Sequence, residues 1–81
     1  MIHINLLNAP SNIDLEVMEI DAGMAAKKRL ISMGIHTGDR LVKHSNSSWG
    51  PVLVQNVTLN ATKIAIGKRL ASKIKVAYPD E

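Results

Sequence analysis

Cysteine is absent, which removes disulfides, thiolate metal sites and a cysteine nucleophile. Phenylalanine is absent too, and Trp49 and Tyr78 are the only aromatics, so a core must be built from Ile, Leu, Val and Met. Many of these are β-branched, which favours strands. No segment approaches the ~20 consecutive apolar residues of a membrane helix. The opening Met1-Ile2-His3-Ile4-Asn5 has no basic n-region, so a soluble, unprocessed chain without direct membrane insertion is expected, and the lack of cysteine fits a reducing, cytoplasmic setting. Charge of one sign is scarce as well: 10 basic against 7 acidic residues leave +3. A nucleic-acid binder usually carries a dense stripe of Lys and Arg, so no nucleic acid is expected as partner. At 81 residues the chain is one domain, residues 1–81. A chain of this size buries only about 60–65% of its unfolded surface and has little room for an enclosed active site.

The motifs of catalysis are also missing. There is no G-x-x-x-x-G-K-[ST] phosphate loop and no G-x-S-x-G elbow, and Ser45, Ser47 and Ser48 neighbour His44 in sequence only. A metal site needs three or four ligands converging at about 2.0–2.3 Å. His3, His36 and His44 are far apart in sequence and form no HxH or HxxxH pair. Asp14, Glu16 and Glu19 read as solvated strand residues. The expectation is no enzyme, no cofactor and no metal site.

What is present is a legible fold. Ile13, Leu15 and Val17 alternate; Met18 and Ile20 continue one residue out of phase, so the strand over 13–20 bulges near Val17-Met18 or buries both faces. Asp21 is the expected N-cap of a helix within 22–33, with Ala26, Leu30 and Met33 as its buried stripe. Gly34 is placed to take the left-handed position that ends such a helix, and Ile35 packs back. Thr37-Gly38-Asp39 supplies a turn into a strand over 39–44. Further strands are predicted over 51–57, 63–66 and 74–76, with one or two helical turns within 67–73. These strands are expected to close a small barrel.

The segments Arg29-Leu30, Met33-Gly34-Ile35, Gly38, Gly50-Pro51-Val52-Leu53-Val54, Ile64-Ala65-Ile66 and Ala71 followed by Ile74-Lys75-Val76 resemble, in order and spacing, the FeoA family of bacterial ferrous-iron uptake. The resemblance spans about Leu6 to Val76. It implies a mainly β fold, a small SH3-like β-barrel with one inserted α-helix and a short C-terminal helical turn. It implies as partner the cytoplasmic GTPase-bearing region of a membrane ferrous-iron transporter. Ser11, the long Val54–Ile64 connection and Lys43 depart from the family pattern. Lys43 stands where an apolar strand residue is usual, and is expected to bury its stem and lead its ammonium to water. The rival readings are an SH3-like nucleic-acid-binding module, which lacks an aromatic stacking platform here, and a detached C-terminal domain of a DtxR-type repressor.

For partner binding, Lys27, Lys28, Ile31 and Trp49 are the candidates. Ile31 lies off the buried stripe, beside Lys27, so an apolar residue is left among lysines; its other reading is packing on the barrel rim. Trp49 is either an interface anchor or a lid over the barrel's end. Lys68, Arg69, Lys73 and Lys75 form a second basic cluster, either a solvated face or a dock for an acidic protein or anionic membrane surface. Gly34 and Gly38 are the structural cap and turn positions.

Overall fold

The computed structural model describes residues 1–44, 50–59 and 63–80. Its strands are β1 (Ile2–Asn5), β2 (Asp14–Ile20), β3 (Arg40–Lys43), β4 (Val52–Asn56), β5 (Lys63–Ile66) and β6 (Ile74–Tyr78). Helix α1 (Met24–Ser32) follows β2, and the single turn α2 (Lys68–Ala71) precedes β6. All pairings are antiparallel, in the order β1-β6-β2-β3-β4-β5. The expected closure is therefore corrected: the strands make one small SH3-like sheet, with β1 and β5 at its two margins.

β1 was not anticipated. Ile2-His3-Ile4-Asn5 is short and lacks a hairpin partner, because it pairs with β6 at the far end of the chain, Ile2 opposite Tyr78 and Asn5 opposite Lys75. Local pattern carries no trace of such a pairing. β2 does bulge where its apolar phase breaks. Val17 faces Val76 and Glu19 faces Lys75, leaving Met18 unopposed and 39% exposed. Leu15, Val17 and Ile20 point inward, whereas Ile13, expected to share that face, precedes the strand and is exposed.

The core gathers Leu6, Leu15, Leu30, Ile35, Leu41, Val54, Ile66, Ile74 and Val76, all fully buried. Two polar side chains, Lys43 and Asn56, are fully buried with it. On β3 the inward positions are Leu41 and Lys43; on β4 they are Val52, Val54 and Asn56. The expectation that Lys43 leads to water is corrected, because its side chain is fully buried and Nζ donates to the carbonyls of Leu7 at 2.7 Å and Ala9 at 2.9 Å. The loop after β1 wraps over the ammonium, and Asn12 N–H in turn donates to the Lys43 carbonyl at 2.9 Å.

Helix α1 starts two residues later than expected. Gly23, not Asp21, is the N-cap, and it offers no side-chain acceptor; Asp21 N–H is bound instead to the Lys73 carbonyl at 2.8 Å. The other end stops as the sequence predicts. Ile35 N–H reaches the Leu30 carbonyl at 3.0 Å and Gly34 N–H the Ile31 carbonyl at 2.9 Å, the paired bonds of a Schellman motif. Gly34 has φ +90°, and Leu30 and Ile35 bury their side chains across the cap. No atom would crowd a Cβ at Gly34, so Gly34→Ala should cost only the conformational penalty, roughly 1 kcal/mol or somewhat more. Thermal melts test this, and an unchanged Tm would show that the cap does not depend on glycine. Gly38 has φ +93° in the next turn, as its place in Thr37-Gly38-Asp39 anticipates.

Candidate functional site

The outer side of α1 carries three of the four candidate partner-binding residues, Lys27, Lys28 and Ile31. Lys27 and Lys28 are exposed, and Ile31 is 52% exposed, half of its surface open to solvent. Lys27 and Ile31 line a groove of about 280 Å³ with Met18, Glu19, Ile20, His36 and Thr37. Strand alternation turns Met18 outward into this groove, and the β2 bulge leaves Glu19 outward beside it. Lys28 is not among the groove's lining residues. Trp49 lies outside the described residues.

The groove's His36-Thr37 wall is held by a polar clasp. Asp39 N–H closes the turn onto the His36 carbonyl at 3.1 Å, while Gly38 N–H and the Asp39 carbonyl bond Val17 at 2.7 and 2.8 Å. The nearly buried Asp39 carboxylate accepts three contacts at Oδ2: His36 N–H at 2.9 Å, His36 Nδ1 at 3.1 Å and Asn56 Nδ2 at 2.8 Å. Asn56 Nδ2 also donates to the Gly34 carbonyl at 2.7 Å. Its Oδ1 accepts from Thr58 N–H at 3.1 Å. One buried amide thus ties the helix cap, the turn and the end of β4 together. Burial raises the Asp39 carboxyl pKa, but the hydrogen bonds from Asn56 and His36, with the nearby imidazole, outweigh it and hold the group below its ordinary value. For Lys43, burial alone pulls the ammonium below its ordinary value.

The three histidines do not meet. His3 is exposed on β1, His36 is bound to Asp39, and His44 Nε2 lies 3.1 Å from Gln55 Oε1. Among the described residues no three of His, Cys, Asp and Glu gather as a metal site. No described helix is long and apolar enough to cross a membrane. The groove combines the apolar side chains of Met18, Ile20 and Ile31 with the charged Lys27 and Glu19.

A model of the FeoA domain matches residues 4–78. The chain belongs to the FeoA family. A protein of Methanocaldococcus jannaschii, provisionally named Fe(2+) transport protein A, is 45% identical over 60 residues, covering 74% of this chain and 68% of that one. The crystal structure of an iron uptake regulatory protein (FeoA) superposes with TM-score 0.80 at 26% identity, over 95% of this chain and 97% of the other. The solution structure of a FeoA-like protein from Clostridium acetobutylicum shares the fold, with TM-score 0.80 at 18% identity over 98% and 90% of the two chains. The FeoA fold and the association with Fe(2+) transport anticipated from the Met33-Gly34-Ile35 and Gly50-Pro51-Val52 segments thus hold.

The clasp and the buried lysine were not found as such in the sequence. Asp39 carries turn chemistry, Asn56 has no sequence signal of its own, and the pattern at Lys43 predicts a buried stem but not a buried ammonium. The available signal was strand alternation itself, which puts residues 41 and 43, and 54 and 56, on the same face.

Proposed function

We propose that this FeoA-family chain is a non-catalytic, cytoplasmic accessory of ferrous-iron uptake that binds the cytoplasmic GTPase-bearing region of a ferrous-iron transporter and modulates its gating or nucleotide cycle. The observation that carries the reading is Ile31, half exposed beside the outward-turned Met18 in a groove rimmed by Lys27. A partner that covered this groove would bury both apolar side chains and meet the Lys27 ammonium at the rim, the arrangement of an apolar anchor with a polar border. Recruitment by that partner would bring the chain to the inner face of the membrane.

Because Ile31 supports little of the core, Ile31→Asp should change stability by no more than about 1 kcal/mol. The same variant should weaken binding to the transporter's soluble domain by about tenfold or more if the site is an interface hot spot. Calorimetric titration with that domain, alongside a thermal melt, reads both quantities. A variant that unfolds, or that folds and binds like the parent, removes Ile31 from the interface.

A further inference from the structure

A second concavity lies on the opposite flank of α1. Successive helical residues turn by about 100°, which puts Ala25 and Arg29 on one flank and Lys27 and Ile31 on the other. The first flank faces α2 across a cleft of about 420 Å³ lined by Ala25, Ala26, Arg29, Gly67, Arg69, Leu70 and Lys73. Ala26 and Leu70, half-buried, are its least exposed lining residues, while Arg29, Arg69 and Lys73 are exposed. No carboxylate lines the cleft, and among the described residues none pairs with those three cations. The cleft therefore concentrates three positive charges, equal to the formal net charge of the whole chain.

We infer that the α1/α2 cleft is a binding site for an acidic peptide segment of a partner protein, one carrying an aliphatic side chain between carboxylates. The aliphatic group would enter between Ala26 and Leu70, and the carboxylates would meet Arg29, Arg69 and Lys73. An isolated phosphate could use the cations but would leave the apolar lining uncovered. A nucleic-acid duplex needs basic groups spread along its backbone, whereas these three line one concavity. Only a ligand that is apolar at its centre and anionic at its ends satisfies both parts. The inference does not rest on the transporter reading, since it concerns a different flank and a different ligand chemistry.

The test uses a fluorescein-labelled, end-blocked hexapeptide, Glu-Asp-Leu-Leu-Asp-Glu, titrated with the full chain by anisotropy. Saturable binding is expected, weakening as salt screens the charges. Amide shifts should move at Ala25, Ala26, Gly67 and Leu70 and stay put at Ile31 and Met18. Ala25→Glu puts a carboxylate into the cleft at the start of a helix, where a negative charge suits the helix dipole, so the variant should fold at least as well as the parent. It should bind the peptide about tenfold more weakly or worse, a difference of about 1.4 kcal/mol. Arg69→Glu, an exposed change, should do the same. Replacing the four acidic residues of the probe by lysine should abolish binding. The inference is overturned by no saturable binding, by an undiminished affinity in Ala25→Glu, by shifts centred on Ile31, or by a DNA duplex that displaces the peptide at a lower concentration than unlabelled peptide does.

Discussion

Lys43→Ala should destabilise the chain by roughly 2–5 kcal/mol, because it leaves a cavity where the buried stem packs. The side chain is fully buried, and the loop carbonyls of Leu7 and Ala9 have the ammonium as their partner. Lys43→Met separates the contributions. It keeps the volume of the stem, loses both hydrogen bonds, and relieves the burial of a charge that no carboxylate pairs with among the described residues. Orphaning a carbonyl costs about 1–3 kcal/mol, and burying an ion costs several, so the two nearly cancel and Lys43→Met should lie within about 1 kcal/mol of the parent at neutral pH. The pH dependence then distinguishes the proteins. The folded pKa of Lys43 is lowered, so between that value and the unfolded lysine's pKa the unfolded chain binds more protons. Stability therefore rises with pH through that alkaline window, and the rise should vanish in Lys43→Met. Urea midpoints from neutral to alkaline pH measure it. Equal losses in the Ala and Met variants would show that the stem contributes no packing.

Asn56→Ala is the second large effect, about 2–4 kcal/mol. The substitution removes the donor to the Gly34 carbonyl and to Asp39, and the acceptor for Thr58 N–H, all in a side chain with no solvent exposure. Water cannot replace those bonds without opening the core. The loss should depend on acidity in a definite direction. Asp39 has a folded pKa below that of the unfolded chain, so its contribution is present above the unfolded pKa and is lost as pH falls through the folded one. Without Asn56 the main hydrogen bond opposing burial is gone, so the carboxyl titrates at higher pH and acid unfolding begins earlier. The difference between parent and variant should consequently shrink in acid, where Asp39 is protonated in both. Equilibrium unfolding at neutral and acidic pH checks this; a constant difference would show that Asn56 acts without Asp39.

These two positions mark where residue type and strand pattern disagree. Alternation correctly places Leu41 and Val54 inward, and it places Lys43 and Asn56 inward too, but a lysine and an asparagine ordinarily read as solvent-facing. Their partners are backbone carbonyls and a turn carboxylate from other parts of the chain, contacts that no local window contains. The opposite holds for the helix end. Leu30, Met33, Gly34 and Ile35 act on one another within six residues, so cap, left-handed glycine and buried re-entry were all legible. The bulge was legible for the same reason, as a phase slip between Val17 and Met18. Helical angle set Ile31 off the buried stripe but left rim packing open, and only the fold brings Met18 of β2 into the same groove. The α1/α2 cleft was visible in part, as the basic cluster at Arg69 and Lys73. Its apolar lining required knowing that Ala26 faces Leu70.

The unclosed sheet carries a liability of its own. A margin strand offers unpaired N–H and C=O groups to any other extended chain, and proteins limit this with short or charged edges. Both margins here have only four residues, and β5 opens with the exposed Lys63. β6 is different: Ile74, Val76 and Ala77 are buried, and β1 covers one of its sides. Proteolytic loss of residues 1–5 would turn that apolar strand into an edge, the kind of surface on which aggregation starts. The first five residues thus act as a guard for the last strand, and their tolerance to trimming is set by solubility before it is set by binding.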